Sequence, residues 1–121
     1  MPDIPILRPA TPDDLAAIIA LLEAVHLPPW DTEEHLHNFV VAEQGGRIVG
    51  CGGLEAYPAG SCALVRSMAV DESLRGSGLG REILEWVMEQ ARSLGLSNFY
   101  LFTMTARDFY LKFGFADVTL D

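Results

Sequence analysis

Apolar residues recur along this chain with two different periods, and each change of period marks an element boundary. A short apolar run over 4–8 reads as a strand. Leu15, Ile18, Ile19, Leu22 and Val25 then return at three- and four-residue intervals, the buried stripe of a helix. Thr11-Pro12-Asp13-Asp14 opens that helix with a hydroxyl at the N-cap, a proline at the first helical position and acids in the first turn. Pro28-Pro29 closes it. A second, short helix follows, with Asp31 as its cap and Glu34 three residues on in a capping-box arrangement.

The next segments are extended. Residues 39–42 and 47–56 form a hairpin around Gln44-Gly45-Gly46, and a turn at Tyr57-Pro58-Ala59-Gly60 leads into a strand over 63–70. Ile83, Leu84, Val87, Met88 and Ala91 mark one face of a helix over 81–94, and Gly95 stops it. A buried strand over 99–103, a short helix over 106–112 stopped by Gly114, and a last strand over 115–120 complete the chain. The order β-α-α-β-β-β-α-β-α-β predicts an α/β fold, a three-layer α/β/α sandwich around a mixed sheet, in one domain spanning 1–121.

Composition narrows the partners. The net charge is −9, which disfavours a nucleic-acid surface, and no apolar run approaches the ~18 residues that span a bilayer. Met1-Pro2-Asp3 lacks the basic start of a secretory signal, so the expected location is cytoplasmic. Cys51 and Cys62 lie several residues apart across their hairpin, Cys51 facing a residue near Ser67, and read as small apolar fillers. His26, His35 and His37 lack partners at ligand spacing, so no metal site is expected.

Between the strand over 63–70 and the helix that follows stands Arg75-Gly76-Ser77-Gly78-Leu79-Gly80, with Arg81 next. Glycines let successive N–H groups turn to one point, and a helix N-terminus adds free donors and a positive dipole end. The turn therefore calls for a polyphosphate. A P-loop would need Lys-Ser/Thr after the last glycine, where Arg81-Glu82 stands, and the dinucleotide fingerprint G-x-G-x-x-G is absent. What remains is R-x-x-G-x-G, which resembles the pyrophosphate loop of the GNAT superfamily of N-acetyltransferases. The segment from Ala106 through Tyr110 and Lys112 to Gly114-Phe115 is similar to that family's A-x-x-x-Y-x-K-x-G-F signature. Three further segments, 49–55, 64–70 and 101–106, most resemble the arsenic-resistance N-acetyltransferases and, more distantly, the acetyltransferase domain of N-acetylglutamate synthase.

The resemblance implies acetyl-coenzyme A as cofactor. It places the pyrophosphate on Arg75, Gly76, Ser77, Gly78, Leu79, Gly80 and Arg81, and the pantetheine arm along Met68, Ala69 and Val70, where strand 63–70 splays from strand 99–103. Thr103 stands where many relatives carry an asparagine that contacts pantetheine. Tyr110 matches the tyrosine that protonates the leaving thiolate, against a packing role beside Phe109 and Phe113. The glutamate that many relatives carry before the glycine loop is replaced by Leu64 and Val65, which leaves Glu55 as the candidate base, directly or through a water, or as a solvated carboxylate. Arg66, alone in an apolar strand, suits a carboxylate on the acceptor or an ion pair with Glu55. A simple register about Ala59 sets those two side chains on opposite faces; a one-residue bulge would bring them together. His26 and Trp30 fall in the link that covers the acceptor site in the family, and either shape the substrate pocket or serve as core and cap residues.

The reaction so implied is acetylation of the primary amine of a small amino-acid-like acceptor, with an arsenic-containing one among the acceptors the resemblance implies. Acetylation of a protein N-terminus or lysine, and a coenzyme A-binding regulatory module without turnover, are the alternatives. Few residues follow Gly114-Phe115 compared with the family, so a short or missing final strand and a homodimer covering the sheet edge are also expected.

Overall fold

The computed structural model describes residues 4–103 and 106–117. Five strands form one sheet in the order β1-β2-β3-β4-β5. The strands β1 (Ile6–Pro9), β2 (Phe39–Gln44), β3 (Arg47–Tyr57) and β4 (Cys62–Val70) pair antiparallel, and β5 (Asn98–Tyr100) joins β4 in parallel. One face carries α1 (Leu15–Ala24) and α2 (Thr32–His35); the other carries α3 (Leu79–Ser93) and α4 (Arg107–Phe113). The expected mixed sheet between two helical layers is the observed architecture.

Two cores follow from strand alternation interrupted by two bulges, one at Val49, where Ala42↔Gly50 is followed by Glu43↔Ile48, and one at Ser67. These put Val49 and Cys51, and Val65 and Ala69, on opposite faces. Val40, Val49, Leu54 and Val65 meet Ile83, Leu84, Val87 and Ala91 of α3, while Phe39, Val41, Cys51 and Ala69 meet Ile18, Leu21 and Leu22 of α1. Burying each large aliphatic side chain contributes roughly 1.5–3 kcal/mol. Three glycines of β3 thin the sheet so that large groups can cross it. A Cβ at Gly53 would sit 2.3 Å from the Phe39 ring, one at Gly52 2.6 Å from the Met68 thioether, and one at Gly50 2.8 Å from Ile83.

Several boundaries differ from the pattern. The first helix begins as a 3-10 turn over Pro12–Asp14, because Asp14 is drawn back to the Thr11 N–H (2.7 Å) and to Arg8. Asp31 is a left-handed residue with φ 59° and makes no side-chain cap; Thr32 instead donates its hydroxyl to the Pro29 carbonyl (2.6 Å). The strand expected over 99–103 ends at Tyr100, and 115–117 are irregular, with the rest of the expected last strand outside the described residues. Cys51 faces Ala69, two residues past Ser67, because the turn after Tyr57 is one residue longer than a register about Ala59 and β4 carries one extra residue at the Ser67 bulge. Its thiol is fully buried and pushed up to about 12 by desolvation, which makes it inert.

Candidate active site

The site begins where two strands part. Pairing of β4 with β5 runs only from Cys62↔Asn98 to Leu64↔Tyr100, yet β4 continues to Val70. From residue 65 onward the outer edge of β4 faces a slot. The Asp71 N–H, just past the strand, donates inward to the Val49 carbonyl of β3 (2.8 Å). Successive N–H groups of a strand point to opposite edges, so those of Val70 and Met68 face the slot. Ser67, at φ 55°, is the bulge that sets this phase. Nothing in the residue pattern marks a serine in a strand as a bulge, and its role was not foreseen.

Four residues past the end of β4 the chain enters the glycine turn. Gly76 and Gly78 hold φ of 81° and 91°, and a Cβ on either would meet nothing within 4 Å, so the space over the turn is open. Gly78 is the N-cap of α3 and no side chain caps the helix. Among the described residues, no backbone acceptor takes the N–H of Gly78, Gly80 or Arg81, while Leu79 N–H has only a long contact to Ser77 Oγ (3.4 Å). The result is a cradle of free donors at the positive end of a four-turn helix, open to an anion. Arg75 is exposed with no ion pair among the described residues. Arg81 is turned along α3, to Glu85 (3.0 Å) and over the Phe113 ring (5.0 Å).

Tyr110 lies on α4, buried between Phe109 (5.0 Å between ring centres) and Phe115 (5.8 Å). Burial pushes its hydroxyl up to about 12, which keeps it a proton donor. It lines a cavity of about 680 Å³ together with Leu101, Thr103 and Phe113. Phe109 comes within reach of Gly80, so α4 docks beside the glycine turn. Thr103 accepts the Ala106 N–H (3.0 Å) through its hydroxyl and so fixes the start of α4.

On the opposite sheet face the register brings Glu55 and Arg66 together. Glu55 pairs with Leu64 and Gly53 with Arg66, because the turn after Tyr57 holds four residues, 58–61, and not the three of a register about Ala59. That one residue decides the face; the bulge at Ser67 lies beyond it. Arg66 Nη1 donates to Glu55 Oε1 (2.7 Å), Nε to Ser67 Oγ (3.1 Å), and Nη2 to the Trp30 carbonyl. Glu55 also accepts from the Tyr57 hydroxyl, and His35 Nε2 stands 3.5 Å from Oε1. Burial pushes the Glu55 carboxyl up, but the hydrogen bonds from Tyr57 and Arg66 and the charges of His35 and Arg66 outweigh it, so it titrates below its ordinary range. Tyr57 was legible as a same-face neighbour two residues along β3; His35 carried no such signal. Trp30 is exposed, and His26, at φ 63°, sits at the end of α1.

A family model described as the acetyltransferase (GNAT) family matches residues 9–115. An amino-acid acetyltransferase of Ralstonia nicotianae is 32% identical, across 98% of this chain and 28% of that protein. The chain thus spans just over a quarter of the length of the curated relatives it matches first. Among solved structures, N-acetylglutamate synthase from Neisseria gonorrhoeae, complexed with coenzyme A and N-acetyl-glutamate, superposes with a TM-score of 0.86 at 22% identity, over 96% of this chain and 29% of that one. A Mycobacterium tuberculosis protein in complex with CoA and NLQ gives 0.81 at 27% identity, over 95% and 74%.

Proposed function

Since this chain belongs to the acetyltransferase (GNAT) family, we propose that it moves the acetyl group of acetyl-coenzyme A to the primary amine of a small amino-acid-like acceptor. The observation that carries this reading is the open edge of β4, with the N–H groups of Met68 and Val70 on its unpaired side and the uncapped start of α3 a few residues further along the chain. That row of unspent donors suits an amide-bearing arm ending in a pyrophosphate. Gly76, Ser77, Gly78, Leu79, Gly80 and Arg81 hold the pyrophosphate, with Arg75 supplying charge from the rim. Met68, Ala69 and Val70 hold the arm.

Acetyl-coenzyme A, when bound, supplies an activated thioester. The chain's own groups do the rest. Backbone donors of β4 stabilise negative charge on the carbonyl oxygen. Tyr110, kept protonated by burial, gives its proton to the departing sulfur as the C–S bond breaks and regains one from the nitrogen that has formed the new C–N bond. Glu55, ionised at neutral pH, draws the acceptor's ammonium and passes its proton to water. Arg66 selects an acceptor that carries a carboxylate, and His26 and Trp30 close the acceptor side. Relatives named amino-acid acetyltransferases support the amino-acid class. The arsenical acceptor read from the sequence enters as one member of the substrate panel. The outer edge of β5 has no strand partner among the described residues, and Tyr100 and Phe102 stand exposed beside it, which favours pairing of two chains there.

Thiol release from acetyl-coenzyme A across amino acids, amino-acid arsenicals, peptide N-termini and lysine tests the reading. Turnover with an amino acid, strongly reduced in Arg66→Ala, is expected. Turnover confined to peptides would move the activity to protein acetylation. Cofactor binding with no release from any amine would reduce the chain to a binding module.

A further inference from the structure

Three of the five N–H donors of the Arg66 guanidinium, one on each nitrogen, are taken by different parts of the fold: Glu55 of β3 at Nη1, Ser67 of the β4 bulge at Nε, and the Trp30 backbone carbonyl at Nη2. The three contacts are unequal. Glu55 is an ionised partner and Ser67 is the next residue in the chain, whereas the Trp30 carbonyl is neutral and belongs to a separate segment. That segment, 26–31, joins α1 to α2 and contains Pro28-Pro29. It is bracketed by His26 and Asp31, two non-glycine residues with positive φ, 63° and 59°. Trp30 itself is 75% exposed, so its ring anchors nothing.

A strained, proline-stiffened strap, held at one end by the Leu27 N–H on the Leu22 carbonyl and at the other by the Thr32 hydroxyl on the Pro29 carbonyl, is therefore joined to Arg66 in its middle through one neutral acceptor. We propose that the Trp30 carbonyl is a stand-in for a carboxylate oxygen. On this view the acceptor's carboxylate displaces it from Arg66 Nη2, and the released strap lays Trp30 over the bound molecule. A carboxylate makes the stronger, charge-assisted bond to Arg and so wins the exchange. Glu55 and Ser67 keep their hydrogen bonds throughout, which holds the guanidinium fork in place. Acceptors without a carboxylate cannot pull the strap, and this makes Nη2 of Arg66 the specificity-determining position. The inference rests on the amino-acid reading above and adds where the carboxylate binds and what moves.

The chain has two tryptophans, so Trp86→Phe leaves Trp30 as the only emitter. That variant, with coenzyme A bound and no acetyl donor, is titrated with L-amino acids and with the methyl ester of each. The expected result is a saturable change in Trp30 emission with the acids, binding of the esters at least tenfold weaker, and loss of the emission change in Arg66→Gln. Arg66→Lys, which keeps the charge beside Glu55 but not the fork, loses it as well. Equal binding of acid and ester, or acid binding by calorimetry with unchanged Trp30 emission, overturns the exchange. Thiol release with the same amino acids alongside flat emission overturns the exchange and leaves acetyl transfer standing. No binding and no release overturns both.

Discussion

Tyr110 illustrates how one residue's surroundings set its chemistry. Packed against Phe109 and Phe115, its hydroxyl is pushed up to about 12, so it stays protonated through the alkaline range used for thiol assays. In Tyr110→Phe, kcat should fall by roughly a hundredfold, the scale of a lost acid catalyst, while KM for acetyl-coenzyme A holds. The parent should show no loss of kcat from this group until the pH nears its pKa. Stability at residue scale is clearest at Gly53, where an added Cβ would lie 2.3 Å from the buried Phe39 ring. Gly53→Ala should destabilise the chain by roughly 1–3 kcal/mol, read as a lower thermal midpoint. Neither the Glu55–Arg66 pair nor the bulge at Ser67 could be read with certainty from residue order. Each depends on the count of a single residue, in the turn after Tyr57 or inside β4, and hydrophobic alternation does not register such a count within a strand buried on both faces.

At the scale of elements, the start that the Thr-Pro-Asp-Asp pattern predicts is present, with Thr11 at the N-cap, Pro12 next and acids in the first turn; it takes the form of a 3-10 turn, and an ion cluster ties it to β1 and β2. Arg8 donates to both Asp14 oxygens (2.8 and 2.9 Å) and to Glu43 (2.8 Å). The Arg8 hydrogen bonds, helped by those from Thr11, outweigh burial and lower Asp14 to about 2 from an ordinary 3.8. A carboxyl lowered on folding adds stability that is complete above its unfolded value and lost as pH falls through its folded value. The contribution should therefore fade between about pH 4 and pH 2, and Asp14→Asn should lose that acid-dependent component. At neutral pH that variant should unfold about 2 kcal/mol more easily, since Arg8 is partly exposed and keeps Glu43. Both measurements are denaturant titrations at stepped pH. Strongly periodic elements such as α3 were legible because their apolar stripe is buried as read. The end of β5 was not, because it stops where pairing with β4 ends and not where its apolar run ends.

For the whole molecule, the order of strands and helices from β1 to α4 and the glycine turn between β4 and α3 were readable from the sequence, and they locate the proposed donor side of the site. The acceptor side was less legible, since it is assembled from the 26–31 strap, α2, β3 and β4, which meet only in three dimensions. The proposed pairing of two chains along β5 would bring together two molecules of net charge −9, so it should strengthen with added salt. Light scattering at moderate ionic strength should give a mass above the monomer, and a monomer at every salt concentration contradicts pairing. The central claim, acetyl transfer to an amino acid, is tested most directly by mass spectrometry of an amino-acid mixture incubated with acetyl-coenzyme A and the chain. One amino acid should gain a single acetyl group, in amount equal to the thiol released. Thiol without an acetylated amine, or neither product, would contradict the account.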